Sequence, residues 1–149
     1  MSNLAILGEK RFNLSQAELV LIGGDGASWI KEGAKNYFPN SIYQLCKFHL
    51  ERKLKQTLPY HRKMQKEIRN LLKEGKIDKT LKELRQERIL KPEYKKDIEG
   101  LMHYIYYNQE GVNAVDRLRK QGIPVEDLGA VEGNIDKSLA NRFKKRGMR

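Results

Sequence analysis

One stretch of the chain, residues 18–31, limits the folds that the sequence can adopt. Residues 20–22 form a short apolar run of strand length, and a glycine-rich turn around Asp25 follows it. A helix is predicted over 28–36, with Ser28 as its N-cap. A buried strand, a tight turn and a returning helix are typical of an open α/β sheet.

Asp25 has two interpretations at this position. Open α/β sheets place catalytic or ligand-binding groups at the carboxyl ends of their strands, where Asp25 is expected to lie. Alternatively, its carboxylate closes an Asx-turn and only satisfies amides of its own loop. The Asx-turn is the commoner of the two for so short a motif.

The rest of the chain is predicted to be mostly helical. A second strand is expected over 42–46, and a helix begins near Lys47 and ends at Pro59. Residues 60–121 contain four successive helical patterns with almost no strand signal. Residues 1–17 show no clear period, so no element is predicted there.

Apolar stripes define the four helical patterns and predict a helical core. We expect them to end or begin at Gly75, at a cap on Asp78, at Pro92 and at Gly122. The residues expected in the core are Leu50, Leu54, Leu58, Met64, Ile68, Leu71, Leu72, Leu81, Leu84, Ile98, Leu101, Met102, Ile105, Val112, Val115 and Leu118.

Composition favours a polyanionic partner. The 149 residues include 30 Lys and Arg against 19 Asp and Glu, which gives a net charge of +11 and favours DNA or RNA. The single cysteine, Cys46, excludes an internal disulfide framework. We find no apolar run of membrane-spanning length and no signal peptide, so a soluble cytoplasmic protein is expected.

The segment after Asp127 differs from the helices before it. A helix carrying Glu132 is predicted, and five cations lie within the last eight residues. Such a basic run either binds phosphate or forms a solvated tail. The candidate DNA-binding residues are Arg142, Lys144, Lys145 and Arg146.

Two acidic residues have the character of metal ligands. Phosphodiester chemistry with two metal ions needs carboxylates from distant segments that together hold Mg²⁺ or Mn²⁺. Asp25, at a strand end, and Glu132, on a late helix, are residues of this type, but only the fold could bring them together. No P-loop, dinucleotide fingerprint or Ser/His/Asp arrangement competes with this hypothesis.

Cys46 and His49 form a C-x-x-H pair. A structural zinc site needs four ligands, and the chain has no second cysteine and only two other histidines, His61 and His103. The favoured alternative is a buried thiol beside a histidine at the start of a helix.

Three segments, in this order, carry a family resemblance. They are Gly-Asp-Gly-Ala-Ser-Trp-Ile-Lys at 24–31, Leu-Cys-Lys-Phe-His-Leu at 45–50, and Gly-Ala-Val-Glu-Gly-Asn-Ile-Asp-Lys at 129–137, which leads into Asn-Arg-Phe-Lys-Lys-Arg-Gly-Met at 141–148. Together they resemble bacterial insertion-sequence transposases of the DDE class, in the branch related to Mutator-like elements.

The resemblance implies a ribonuclease-H-like catalytic core with an all-helical insertion. Asp25 then matches the second catalytic aspartate, Glu132 the catalytic glutamate, and Cys46 and His49 the family's C/D-x-x-H motif. The implied activity is Mg²⁺-dependent DNA cleavage and strand transfer. The implied partners are transposon ends and target DNA, together with further copies of the chain in a homo-oligomer. The implied domain organisation has four parts. Residues 1–17 are a poorly defined N-terminal segment, 18–58 are part of the catalytic core, 59–123 are the helical insertion, and 124–149 are the glutamate-bearing core helix and basic tail.

One departure concerns the first catalytic aspartate of the family, which lies upstream of the position matched by Asp25. No aspartate precedes Asp25 in this chain. We therefore expect a truncated C-terminal portion of a transposase, inactive and marginally folded on its own. The alternatives are a basic helical nucleic-acid-binding protein without chemistry and a helical scaffold that binds a protein partner.

Overall fold

A small parallel sheet and a larger set of helices make up the fold in the computed structural model, which describes residues 2–126 and 128. The predicted mostly helical α/β class is confirmed. No described helix combines the length and apolar character needed to cross a membrane. The elements are α1 (Ser2–Phe12), β1 (Val20–Gly24), α2 (Ser28–Tyr37), β2 (Ser41–Leu45), α3 (Lys47–Thr57), α4 (Arg62–Lys73), α5 (Ile77–Leu90), α6 (Lys95–Tyr107) and α7 (Ala114–Lys120).

The sheet is a β1–α2–β2 unit in which the two strands run parallel. Val20 pairs with Ser41 at one end, and Gly24 pairs with Leu45 at the other. Parallel strands require a crossover connection, and α2 provides it. Both predicted strands are therefore confirmed within two residues at their ends. The unit brings the carboxyl ends of β1 and β2 to the same edge.

Helix starts were predicted less well than helix bodies. The N-cap of α2 is Ala27, not Ser28, because the extended backbone continues through Ala27. The cap before α5 is Lys76, which places Asp78 inside the first turn. Pro92 opens a short 3₁₀ turn, and the α-helix starts only at Lys95.

The core lies among the helices, as the apolar stripes predicted. A single cluster of buried side chains joins α3, α4, α5 and α6 to the end of β2. Leu50 and Met102 are only partly buried and pack against this cluster. The completely buried members include Leu45, Leu58, Ile68, Leu84, Ile98, Leu101 and Ile105.

Helix α1 occupies a segment for which no element was predicted. Its apolar residues Ile6, Leu7 and Phe12 are largely exposed, so they form no stripe of the kind that predicts a packed helix face. Just after the helix, Ser15 donates two hydrogen bonds to the Glu9 carboxylate, at 2.7 Å from its main-chain nitrogen and 2.6 Å from its hydroxyl.

Candidate functional site at the carboxyl edge of the sheet

The candidate site lies where β1 and β2 end side by side. The main-chain N–H of Cys46 donates a 2.7 Å hydrogen bond to the carbonyl of Gly24. Asp25 follows β1 and Cys46 follows β2, so the two residues leave neighbouring strands at the same edge. The structure thereby brings together two of the residues selected from the sequence, although they are 21 positions apart.

The carboxylate of Asp25 is exposed and turned toward its own loop. Its Oδ1 accepts a 3.0 Å hydrogen bond from the N–H of Ala27, which is the Asx-turn arrangement. Helix α2 has no side-chain cap, because its N-cap residue is Ala27; the Asp25 bond satisfies the N–H of Ala27 itself. Both interpretations of Asp25 therefore hold. One carboxylate oxygen closes the Asx-turn, and the same carboxylate lies at the carboxyl end of a strand.

Helix α6 holds the Asp25 loop from the other side. The hydroxyl of Tyr104 donates a 2.7 Å hydrogen bond to the main-chain oxygen of Asp25. The amide of Asn108 donates to the carbonyl of Tyr104 at 2.8 Å and so stays beside that ring. A Cβ on Gly26 would come within 2.9 Å of both side chains, and Gly26 has a φ of +105°. Only glycine suits this position.

Two tyrosines with raised pKa values line the site. Burial raises the pKa of Tyr43 to about 12, the main chain of Gly26 opposes the rise, and the charges of Asp25 and Cys46 add to it. Burial also raises the pKa of Tyr104, with further contributions from Tyr43, Asp25 and Cys46. Both phenols therefore stay protonated at neutral pH, and Tyr104 remains a hydrogen-bond donor to the loop.

Cys46 and His49 occupy the start of α3. Cys46 is the N-cap residue and His49 lies in the first turn, so the prediction of a helix-start histidine is confirmed. The Cys46 thiol is half-buried rather than buried. The ring of His49 meets the edge of Phe48, with centroids 5.6 Å apart. Among residues 2–126 and 128, no three His, Cys, Asp or Glu side chains form a group that could hold a metal ion.

Two lysines contact α6, the helix that holds the loop, in a way that the sequence did not indicate. The Nζ of Lys53 lies 5.2 Å from the centre of the Tyr104 ring. The Nζ of Lys31 donates a 2.8 Å hydrogen bond to the carbonyl of Tyr107. Tyr104 and Asp25 are 79 residues apart, so no local spacing could have related them.

The second predicted carboxylate lies outside the described residues. Glu132 belongs to the segment 129–149, and its meeting with Asp25 therefore stays a prediction. The candidate DNA-binding residues also lie outside the described residues, so their role stays a prediction; they are Arg142, Lys144, Lys145 and Arg146.

Comparison with known proteins gives one family. The family model described as uncharacterised protein family UPF0236 matches residues 3–149. The chain belongs to UPF0236. The match includes the strand-end loop, the helical region and the segment that carries Glu132, so all three are parts of the UPF0236 unit. No curated protein and no solved structure matches the chain.

Proposed function

We propose that this chain is a catalytic portion of a DDE-type transposase, which cleaves DNA and transfers its strands with the help of Mg²⁺. The proposal assigns β1, α2, β2 and α3 to a ribonuclease-H-like core and α4–α7 to its helical insertion. The observation that carries it is the exposed carboxylate of Asp25 at the carboxyl edge of a parallel sheet. Helix α6 holds that loop through Tyr104, as a catalytic loop requires.

The donor chemistry at the edge agrees with this assignment. A carboxylate is the ligand type that Mg²⁺ and Mn²⁺ prefer, and one oxygen of Asp25 is not used by the Asx-turn. Asp25 and Glu132 would hold the ions, which when bound stabilise the attacking and leaving oxygens of a phosphodiester. Cys46 and His49 offer sulfur and nitrogen, which suit Mg²⁺ poorly. We therefore assign no metal to Cys46 and His49, whose position is the start of helix α3.

Charge supports DNA as the substrate. The chain carries a net charge of +11, and its last eight residues contain five cations, including Arg142 and Lys144. Neutralising DNA phosphates releases counterions, so binding should weaken steeply as salt rises. The sequence resemblance to insertion-sequence transposases supports the same substrate.

One observation favours a second candidate, a nucleic-acid-binding protein without chemistry. The hydrogen bond from Ala27 to Asp25 gives the carboxylate a structural role that needs no metal ion. Under this alternative, neutralising Asp25 removes a negative charge from a DNA-binding surface and tightens DNA binding slightly.

Calorimetric titration with Mn²⁺ and Mg²⁺ tests the proposal. The informative variant is Asp25→Asn, because the asparagine oxygen can still accept the Ala27 hydrogen bond while the charge is lost. Glu132→Gln is the second variant. Glu18→Gln is the matched control, since Glu18 is exposed at the opposite end of β1.

We expect the wild type and the control to bind Mn²⁺ alike, and both site variants to bind at least about tenfold more weakly. A wild type that binds no divalent ion, or site variants that bind as well as the control, would overturn the proposal. Tighter DNA binding by Asp25→Asn in the same preparations would favour the non-catalytic candidate.

A further inference from the structure

Two large aromatic rings are exposed at the edge that carries Asp25. Trp29 is 62% exposed and Phe48 is 52% exposed. Each is the second residue of the helix that follows a strand, Trp29 in α2 and Phe48 in α3. Because β1 and β2 run parallel and end together, both helices begin at the same edge. The two strand–helix units therefore present an aromatic side chain at equivalent places.

Neither ring contributes to the core. The buried residues of α2 are Gly33 and Ala34, and those of α3 are Leu54 and Thr57. Phe48 makes a T-shaped ring contact with His49, a neighbour in the same turn. More than half of the surface of Trp29 and of Phe48 remains exposed to water, where it can contact a ligand.

Positive charge is also present in the first two turns of α2 and α3. Lys31 donates to the carbonyl of Tyr107 and Lys53 lies over the Tyr104 ring, so these contacts pair neither lysine with a carboxylate. Arg52 is exposed one turn after Phe48 on the same face of α3. Exposed rings next to cations are the combination with which proteins bind single-stranded nucleic acid, since every base has a face on which a ring can stack.

We propose that Trp29 and Phe48 stack on unpaired bases of the DNA and hold them beside Asp25. The inference rests on the proposed function and narrows its substrate to DNA with single-stranded or unpaired nucleotides at the edge of the sheet. Bases inside a duplex are stacked on each other, so they cannot receive these rings. Arg52, on the same face of α3 as Phe48, provides a positive charge for a phosphate of such a nucleotide.

The test uses single-stranded oligothymidylate of about 12 nucleotides, a length within the site sizes of single-strand binders. It is compared with a blunt duplex of equal length. Trp29 is the only tryptophan of the chain, so the intrinsic tryptophan fluorescence reports on this edge alone. Affinities of the variants are measured by the anisotropy of a labelled strand. Both experiments are done in EDTA, which makes them independent of metal binding.

We expect the single strand, but not the duplex, to quench the fluorescence of Trp29. Trp29→Ala and Phe48→Ala should each weaken single-strand binding about 5- to 10-fold, the lower part of the range for base stacking. Trp29→Phe should keep most of the affinity. The Ala variants should leave the salt dependence unchanged, whereas Arg52→Ala should reduce it because a phosphate contact is lost.

Tyr37→Ala is the matched control for the rings. Tyr37 is a half-exposed aromatic residue at the far end of α2, about 12 Å along the helix from Trp29. The Tyr37→Ala variant should bind the single strand with the affinity of the wild type. Circular dichroism of every variant checks that the fold is retained.

Three results would overturn the inference. They are unchanged single-strand affinity in both Ala variants, equal losses for duplex and single strand, and equal losses in Tyr37→Ala. Self-association of the chain that disappears in Trp29→Ala, without an effect on DNA, would also overturn it and assign the rings to a protein contact. Loss of stacking with intact Mn²⁺ binding would leave the proposed function standing. Intact stacking without Mn²⁺ binding would overturn the proposed transposase function and leave only single-strand binding.

Discussion

Strand β1 and the helical region of this protein are buried to very different extents. No residue of β1 is fully buried, whereas Ile68, Leu84, Ile98 and Ile105 of α4–α6 have no exposed surface. Stability therefore comes mainly from the helices, since buried apolar area is the main favourable term in folding. The candidate chemistry lies on the less buried side. The helices hold it in place through a few contacts, of which the hydrogen bond from Tyr104 to Asp25 is the clearest.

The largest expected effect tests where the stability resides. Leu84→Ala removes a completely buried side chain from the helical core and should lower the free energy of unfolding by about 2–5 kcal/mol. Leu21→Ala, at a half-buried position of β1, should cost roughly 1–2 kcal/mol. Urea unfolding measures both values. Equal losses at the two positions would contradict the comparison.

A glycine substitution tests the contact between the two regions. Gly26→Ala forces a side chain into a left-handed backbone and against Tyr104 and Asn108, so it should cost about 1–3 kcal/mol. Gly100→Ala is the control, because Gly100 lies inside α6 with no atom within 4 Å of the added Cβ. The control should gain up to about 1 kcal/mol from helix propensity. Thermal unfolding should therefore shift in opposite directions for the two variants.

Removal of one hydroxyl tests the loop without changing its packing. Tyr104→Phe deletes the donor to the Asp25 carbonyl and should cost about 0.5–1.5 kcal/mol. Amide hydrogen exchange should quicken at Asp25 and Ala27 more than in α4. Tyr106→Phe, at an exposed position of the same helix, serves as the control and should leave both observables unchanged. Uniform acceleration over the whole chain would argue against a local role.

The smallest effect concerns an ion pair between helices. Hydrogen bonds from Arg69 lower the pKa of Glu51, and two of them, at 2.6 and 2.8 Å, join α4 to α3. Both side chains are partly exposed, so Glu51→Gln should cost only about 0.5–1 kcal/mol.

The pH dependence of this ion pair has a definite sign. Because the pKa of Glu51 is lowered on folding, its contribution is present above the unfolded value of 4.5 and is lost as the pH falls below it. Denaturant titrations at neutral pH and near pH 3 should therefore show a larger loss caused by Glu51→Gln at neutral pH than near pH 3. Glu67→Gln is the control on α4.

Sequence periodicity was a good guide to the elements and to the core. Apolar stripes identified Leu84, Ile98 and Leu101 because a helix that packs on neighbours must repeat its apolar residues along one face. The strand ends were equally clear, since glycines bound the apolar run before Asp25. Helix caps were predicted poorly, because Ser28 was assigned the N-cap position that Ala27 occupies, and Ala27 makes no side-chain cap bond.

The contacts that build the site could not be predicted from local pattern. Gln44 alternates with apolar residues in β2 and should face water, yet it is buried. Its Oε1 accepts a 2.9 Å hydrogen bond from Val115, 71 positions away. Tyr104 similarly looked like part of an amphipathic stripe, and nothing in its neighbourhood indicated Asp25. Such pairs depend on the chain path between them, which one sequence does not show.

The bond between Tyr104 and Asp25 also has a consequence during synthesis. The ribosome makes Asp25 first, and 79 further residues must follow before its partner exists. At usual elongation rates this takes roughly 4–16 s. Through that interval the nascent strand and its turn lack the tyrosine that later holds them. Their arrangement is therefore completed after translation has passed the helical region, so a chain interrupted before Tyr104 lacks a finished edge.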